Sequence, residues 1–159
     1  MKTSRLLSSL AAAAALLVVA PVYADESWLT DFKQAQQRAK ADNKMLLLDF
    51  TGSDWCGWCI KLNKEVFSKP EFKEYATKNL VLMEVDFPRR KQVADDLMKQ
   101  NVGLAQQFQI EAFPTIIVLN SEGKPLGALS YDSAVSPDSK ATNGSPQTFI
   151  ANIEKLRKG

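Results

Sequence analysis

The sequence contains no histidine and only two cysteines among its 159 residues. One cysteine pair is half a tetrahedral metal set, and with no imidazole to complete it a zinc site is disfavoured. Copper(I) held by two thiolates stays open as a reading of the pair, which would make the chain a binding module or copper(I) chaperone. A c-type haem needs histidine directly after the second cysteine, and that position is Ile60. Long apolar runs are also missing. The stretch Leu10 to Ala20 falls short of the ~20 residues that a bilayer span requires. It lies between a basic start, Lys2 and Arg5, and the small or tolerated residues Val22-Tyr23-Ala24. That pattern reads as a secretory signal peptide over residues 1–24, cut after Ala24, with the domain occupying 25–159. A retained signal anchor is the alternative, and no cysteine near the cut points to a lipid anchor. Charge imbalance is absent too. The chain has 20 basic and 18 acidic residues, and removing Lys2 and Arg5 leaves 18 against 18. Nothing in that balance argues for nucleic acid or an anionic membrane as partner.

The remaining composition, 45% hydrophobic and 24% charged, excludes disorder and suits one globular domain. Both cysteines fall in one stretch, Trp55-Cys56-Gly57-Trp58-Cys59. An apolar run, Met45 to Phe50, leads into it, and a helical pattern leads out. At a helix start the unpaired backbone N–H groups and the positive end of the dipole favour a thiolate, which is the nucleophilic form. Two intervening residues let the second sulfur reach the first, so the pair can close into a disulfide and reopen. A purely structural bridge is a weaker reading, because so small a loop constrains the unfolded chain little.

Around this stretch the pattern predicts a helix over 27–43, capped by Ser27 or Thr30 and ended by Asn43. Buried strands follow at Met45–Phe50 and Leu80–Asp86, with a helix after Cys56 and a short one opened by Pro70 between them. That order implies a right-handed parallel crossover. Val93, Ala94, Leu97 and Met98 suggest a further helix, interrupted at Asn101-Val102-Gly103. Thr115–Leu119 is a third strand, and Pro125–Ser130 returns antiparallel after a tight turn. Ser145-Pro146 opens the last helix, with Phe149, Ile150, Ile153 and Leu156 inward.

Asp49-Phe50, Trp55-Cys56-Gly57-Trp58-Cys59, Phe113-Pro114-Thr115 and Glu122-Gly123-Lys124 together resemble the thioredoxin family. The helix directly before the first strand is similar to exported members such as the C-terminal domain of the bacterial transmembrane disulfide reductase. The resemblance covers about residues 27–158. It implies an α/β fold of three layers, a mixed central sheet flanked by helices, with a cis peptide bond before Pro114 packed against the cysteines. It also implies that the backbone at Phe113 pairs with a substrate chain as an added strand. Two departures stand out. Gly57-Trp58 replaces the family's usual Gly-Pro, and one residue more than usual separates Asp49 from Cys56. A solvent-facing Asp49 at the strand end is therefore the alternative to the family's buried acid.

On this reading Cys56 is the attacking nucleophile and the more exposed sulfur. Cys59 is the buried resolving thiol, and Asp49 is its base. Trp55 shields the site beside Phe113 and Pro114. No cofactor or resident metal is expected. The partners are protein thiols and disulfides and an upstream redox donor, the protein is a monomer without stable membrane association after cleavage, and its place is periplasmic or secreted. The lack of a histidine between the cysteines removes one common thiolate stabiliser and favours a reductant or isomerase over a strong oxidant. The segment Tyr131 to Gly144 is expected to emerge near the cysteines and to influence substrate choice. Arg89, Arg90 and Lys91 are expected at the same edge.

Overall fold

The computed structural model describes residues 28–135 and 143–159. The stretch read as a signal peptide, and the middle of the Tyr131–Gly144 segment, lie outside the described residues. Helix α1 spans Phe32–Asp42, strand β1 Met45–Thr51, helix α2 Gly57–Leu62, and α3 Pro70–Asn79. Strand β2 spans Leu80–Asp86, helix α4 Asp95–Gln107, strands β3 and β4 Thr115–Leu119 and Pro125–Leu129, and helix α5 Pro146–Lys158. The strands form one sheet in the order β2-β1-β3-β4. β1 and β2 run parallel, β3 lies antiparallel to β1, and β4 antiparallel to β3. The sheet is thus mixed, as the resemblance implies.

Period-two alternation along β1 divides the core. Met45 and Leu47 face one cluster with Leu62, Phe67, Phe72 and Phe149, which belong to the helices on that side. Leu46, Leu48 and Phe50 face the other cluster with Ala35, Ala39 and Leu104. Every residue of β1 is buried, which is the pattern of a strand covered on both faces. By the same alternation Asp49 shares the face of Met45 and Leu47, the face covered by the helix that follows the cysteines. Phe67 anchors that helix, with ring centroids 4.9 Å from Phe72 and 5.6 Å from Phe149.

Two helix boundaries differ from the sequence-based expectation. α1 begins at Phe32, capped by Asp31, whose carboxylate accepts the Gln34 N–H at 2.6 Å. Leu29 is not helical. It forms a parallel bridge to Met83, with its N–H donating to the Leu82 carbonyl and its carbonyl accepting from the Glu84 N–H, both at 2.9 Å. Leu29 so covers part of the outer edge of β2, and that pairing prevails over the helical spacing of Trp28 and Leu29. Asn43 ends α1 in the left-handed conformation, as expected. α4 runs unbroken through Asn101-Val102-Gly103. The Asn101 amide donates to the Asp86 carbonyl at 2.9 Å and Leu104 is buried, so tertiary ties outweigh the ~1 kcal/mol that Gly103 costs a helix.

Candidate active site

The turn after β1 is strapped to the chain leaving β2. The Asp86 carboxylate accepts from the backbone N–H and the hydroxyl of Ser53, at 2.8 and 2.5 Å. The Asp54 carboxylate accepts from the Arg89 and Arg90 N–H groups at 3.0 and 2.7 Å. The Trp55 indole N–H donates to the Phe87 carbonyl at 2.7 Å. These bonds fix the turn that leads into Cys56 at the start of α2.

Cys56 and Cys59 form a disulfide, with Cα atoms 5.2 Å apart. Cys56 is the N-cap of α2, and its sulfur accepts the Cys59 backbone N–H at 3.2 Å. In the reduced state the same N–H points where a Cys56 thiolate would sit, which is the physical basis for a lowered thiol pKa there. The expected contrast in exposure between the two cysteines is not seen. Cys56 is 7% exposed and Cys59 5%. In the bridged state each sulfur covers the other, so the difference between them is small.

Asp49 does not face solvent. It is 8% exposed, and its Oδ1 has no hydrogen-bond partner among the described residues. Burial, then the neighbouring Glu84 and Asp86 carboxylates, push the Asp49 carboxyl up to about 8. Glu84 is the direct register partner of Asp49 across the β1–β2 pair, and burial and Asp86 raise its pKa as well. Asp49, Glu84, Cys59, Ser53 and Asn63 line one cleft of about 330 Å³, room for several water molecules. Asn63 begins a π-helical turn, Asn63–Phe67, that continues α2.

Phe113–Pro114 is a cis peptide bond. Thr115 pairs with Phe50 in the β1–β3 register, so Pro114 is set beside the end of β1 just ahead of the cysteine turn. The Phe113 ring meets Trp55 edge to face at 5.9 Å. The outer face of Trp55 is covered by the Arg89 guanidinium, 3.8 Å from the ring centroid. The basic loop therefore lies at the cysteine edge, as expected, but Arg89 is committed to Trp55. Gly52 lets the indole pack against the backbone. A Cβ there would lie 2.5 Å from Trp55 Cε2. Gly52→Ala is expected to displace Trp55 and cost about 1–3 kcal/mol, read by thermal unfolding together with the near-ultraviolet circular dichroism of the tryptophans. An unchanged aromatic spectrum with unchanged stability would contradict this packing.

One cluster at the site has no counterpart in the sequence-based reading. Trp58, 59% exposed, leans on the buried Tyr131 with ring centroids 5.0 Å apart, and Lys61 Nζ lies about as close to both rings. The Tyr131 hydroxyl donates to Glu65 Oε2 at 2.6 Å, and the Gly144 N–H donates to the same oxygen at 2.7 Å. Both described ends of the Tyr131–Gly144 segment thus sit on the helix that carries the cysteines. The helical spacing of Trp58, Lys61 and Glu65 was a usable signal, but their partners come from a distant part of the chain.

Among the described residues no group of three or more histidine, cysteine, aspartate or glutamate side chains is placed to hold a metal. No helix among them is long and apolar enough to cross a membrane.

Residues 32–139 match the thioredoxin-like domain family. The chain is 33% identical over 112 residues to the disulfide bond reductase DsbH of Chlamydia pneumoniae, covering 70% of this chain and 68% of that protein. It is 33% identical over 89 residues to the thiol:disulfide interchange protein DsbD of Klebsiella pneumoniae, covering 56% of this chain but only 13% of that much longer protein. A solved structure of a DsbH oxidoreductase matches with a TM-score of 0.73 at 28% identity, over 92% of this chain and 95% of that one.

Proposed function

The chain belongs to the thioredoxin-like domain family and is a thiol–disulfide oxidoreductase of the Dsb type with a Cys-x-x-Cys pair, and from that premise we propose that it reduces protein disulfides through Cys56 and Cys59. The observation that carries the proposal is the cysteine pair at the head of α2 sharing a cleft with a buried, unpaired carboxyl.

In the reduced protein the Cys56 thiolate attacks one sulfur of a substrate disulfide. A Cys56–substrate disulfide forms and the other substrate sulfur leaves as a thiolate. Asp49, whose pKa of about 8 is close to that of a free thiol, takes the Cys59 proton through water in the cleft. The Cys59 thiolate then attacks Cys56 Sγ. The Cys56–Cys59 bond forms, the mixed disulfide breaks, and the substrate leaves with both electrons. The bridged state seen here is the product of that cycle, and an upstream dithiol donor reduces it, becoming a disulfide itself and returning Cys56 and Cys59 to thiols. Phe113 offers its backbone to the substrate strand, Pro114 holds it beside the sulfurs, and Trp55 shields them. We also place this work outside the cytoplasm, in a periplasm or beyond, from the signal-like pattern of residues 1–24 and from a compartment in which a disulfide persists.

Reduction is favoured over oxidation because no histidine stabilises the Cys56 thiolate and because the relative matched over most of its length is named a reductase. Known Cys-x-x-Cys couples span about −270 to −120 mV, and this couple is expected in the lower half of that range. Equilibration with glutathione buffers, read by the fraction bridged, tests it. A value near −120 mV would overturn the direction, leaving the exchange chemistry intact.

A further inference from the structure

The second of the two positions between the cysteines is filled by Trp58, one of the three large hydrophobic residues exposed among those described. A second, Ile60, flanks Cys59 on its other side. Trp58 is not loose on the surface. Its ring rests on Tyr131, which is 6% exposed and acts as a back wall. Tyr131 is itself held by Glu65, whose Oε2 accepts both the Tyr131 hydroxyl and the Gly144 N–H, and Gly144 N–H also reaches the Tyr131 oxygen at 3.0 Å. Burial opposes ionisation of Glu65, but these two hydrogen bonds, with Lys61 and Lys64 nearby, outweigh it and keep the carboxyl below the ordinary range. The carboxylate is therefore charged at neutral pH, when its two accepted bonds are strongest.

We propose that Glu65 is a positioning residue that clasps Tyr131 behind Trp58, and that the resulting aromatic wall selects disulfides flanked by an aromatic or apolar residue. This deepens the proposed function and rests on its exchange step. An unsupported indole on a helix start would sample several rotamers, and a substrate would have to order it on docking. Held on Tyr131, it offers one fixed face next to the sulfur pair, at a lower cost in side-chain freedom. Lys61, over both rings, sets the sign of the preference. It repels a basic residue at that position and tolerates a neutral or acidic one. The wall lies on the Trp58 side of the disulfide. On the Trp55 side, the Arg89 guanidinium lies over the indole instead of a lysine over an exposed ring.

The test uses three peptides, each with one internal disulfide, differing only in the residue next to one cysteine: Phe, Ser or Lys. Turnover of each is measured for the reduced protein and for Glu65→Gln, Tyr131→Phe and Trp58→Ala. The ratio of kcat/KM between peptides is the readout, since it cancels any loss common to all substrates. The native protein is expected to prefer Phe over Ser by about tenfold and Ser over Lys by a smaller factor. Trp58→Ala should bring the Phe-to-Ser ratio to about one, and Glu65→Gln and Tyr131→Phe should each cut it severalfold, mainly through KM. A native ratio near one, or a ratio unchanged in both clasp variants, overturns the inference. If the native protein reduces no peptide and no small disulfide such as bis-hydroxyethyl disulfide, the exchange reading itself has failed. If it reduces them all alike, only the wall has.

Discussion

Cys59→Ser protein, incubated in its reduced form with a disulfide-bonded protein, is expected to accumulate a covalent adduct through Cys56. Cys56→Ser protein is expected to form none. The reason is the order of attack. Cys56 caps α2, and its sulfur receives the Cys59 N–H, so it is the sulfur whose anion the backbone stabilises. Cys59 lies within the first turn and shares a cleft with Asp49, and in the proposed cycle it expels the substrate from Cys56. Without Cys59 the first step proceeds and the second cannot. Multiple turnover should fall in both variants by on the order of 10³-fold or more, as when a nucleophile or its obligate partner is removed. Non-reducing electrophoresis and mass spectrometry separate them, because only Cys59→Ser carries substrate. Adducts forming equally through either cysteine would reverse the assignment. Stoichiometric copper(I) uptake lost in both variants, with no adduct in either, would favour ligation over exchange.

Asp49→Asn is expected to stabilise the bridged protein by an amount that grows with pH, while slowing reduction. Burial and the nearby carboxylates raise the folded Asp49 carboxyl to about 8, against an ordinary value of 3.8. Below about pH 4 both folded and unfolded chains hold the proton, and Asp49 adds no pH slope. Between those values the unfolded chain carries the charge freely while the folded one keeps the proton. Folded stability therefore falls as pH rises, by up to ~1.4 kcal/mol per unit, and levels off once the folded carboxyl has also ionised. Asparagine removes this slope. The gain in urea midpoint should be small at pH 4 and should approach a ceiling of about 5 kcal/mol in unfolding free energy at pH 8. Activity moves the other way. With no base for Cys59, release of the mixed disulfide should slow by about 10²-fold, and the rise in rate expected of the native protein through pH 8 should be absent. A variant with native turnover and a native stability slope would remove Asp49 from the mechanism.

Sequence and structure divided the work unevenly. The strands were legible because each is a short apolar run with turn residues at its ends, and the β2 and β3 limits are the same in both. The last helix was legible from Ser145-Pro146, since capping and the fixed proline angle are local properties. The cysteine stretch pointed to reversible disulfide chemistry through its spacing at a helix start, with copper(I) ligation left as the alternative. Less local features went astray. Leu29 lies at helical spacing with Phe32, yet it pairs with β2 because an edge strand offers open hydrogen-bonding groups there. Gly103 reads as a break, yet α4 passes through it because Asn101 and Leu104 are tied to the body of the fold.

Composition and local pattern by themselves determined that buried strands alternate with helices, that the two cysteines sit two residues apart at a helix start, and that histidine chemistry is excluded. Only the tertiary structure decided the burial of Asp49, its pairing with Glu84, the capping of Trp55 by Arg89, and the seating of Trp58 on Tyr131 through Glu65. The physical reason is range. Spacing along a chain reports which side chains share a helix face or a strand face, whereas the environment of a carboxyl or an indole depends on register and on contacts between segments far apart in sequence, which no local window contains.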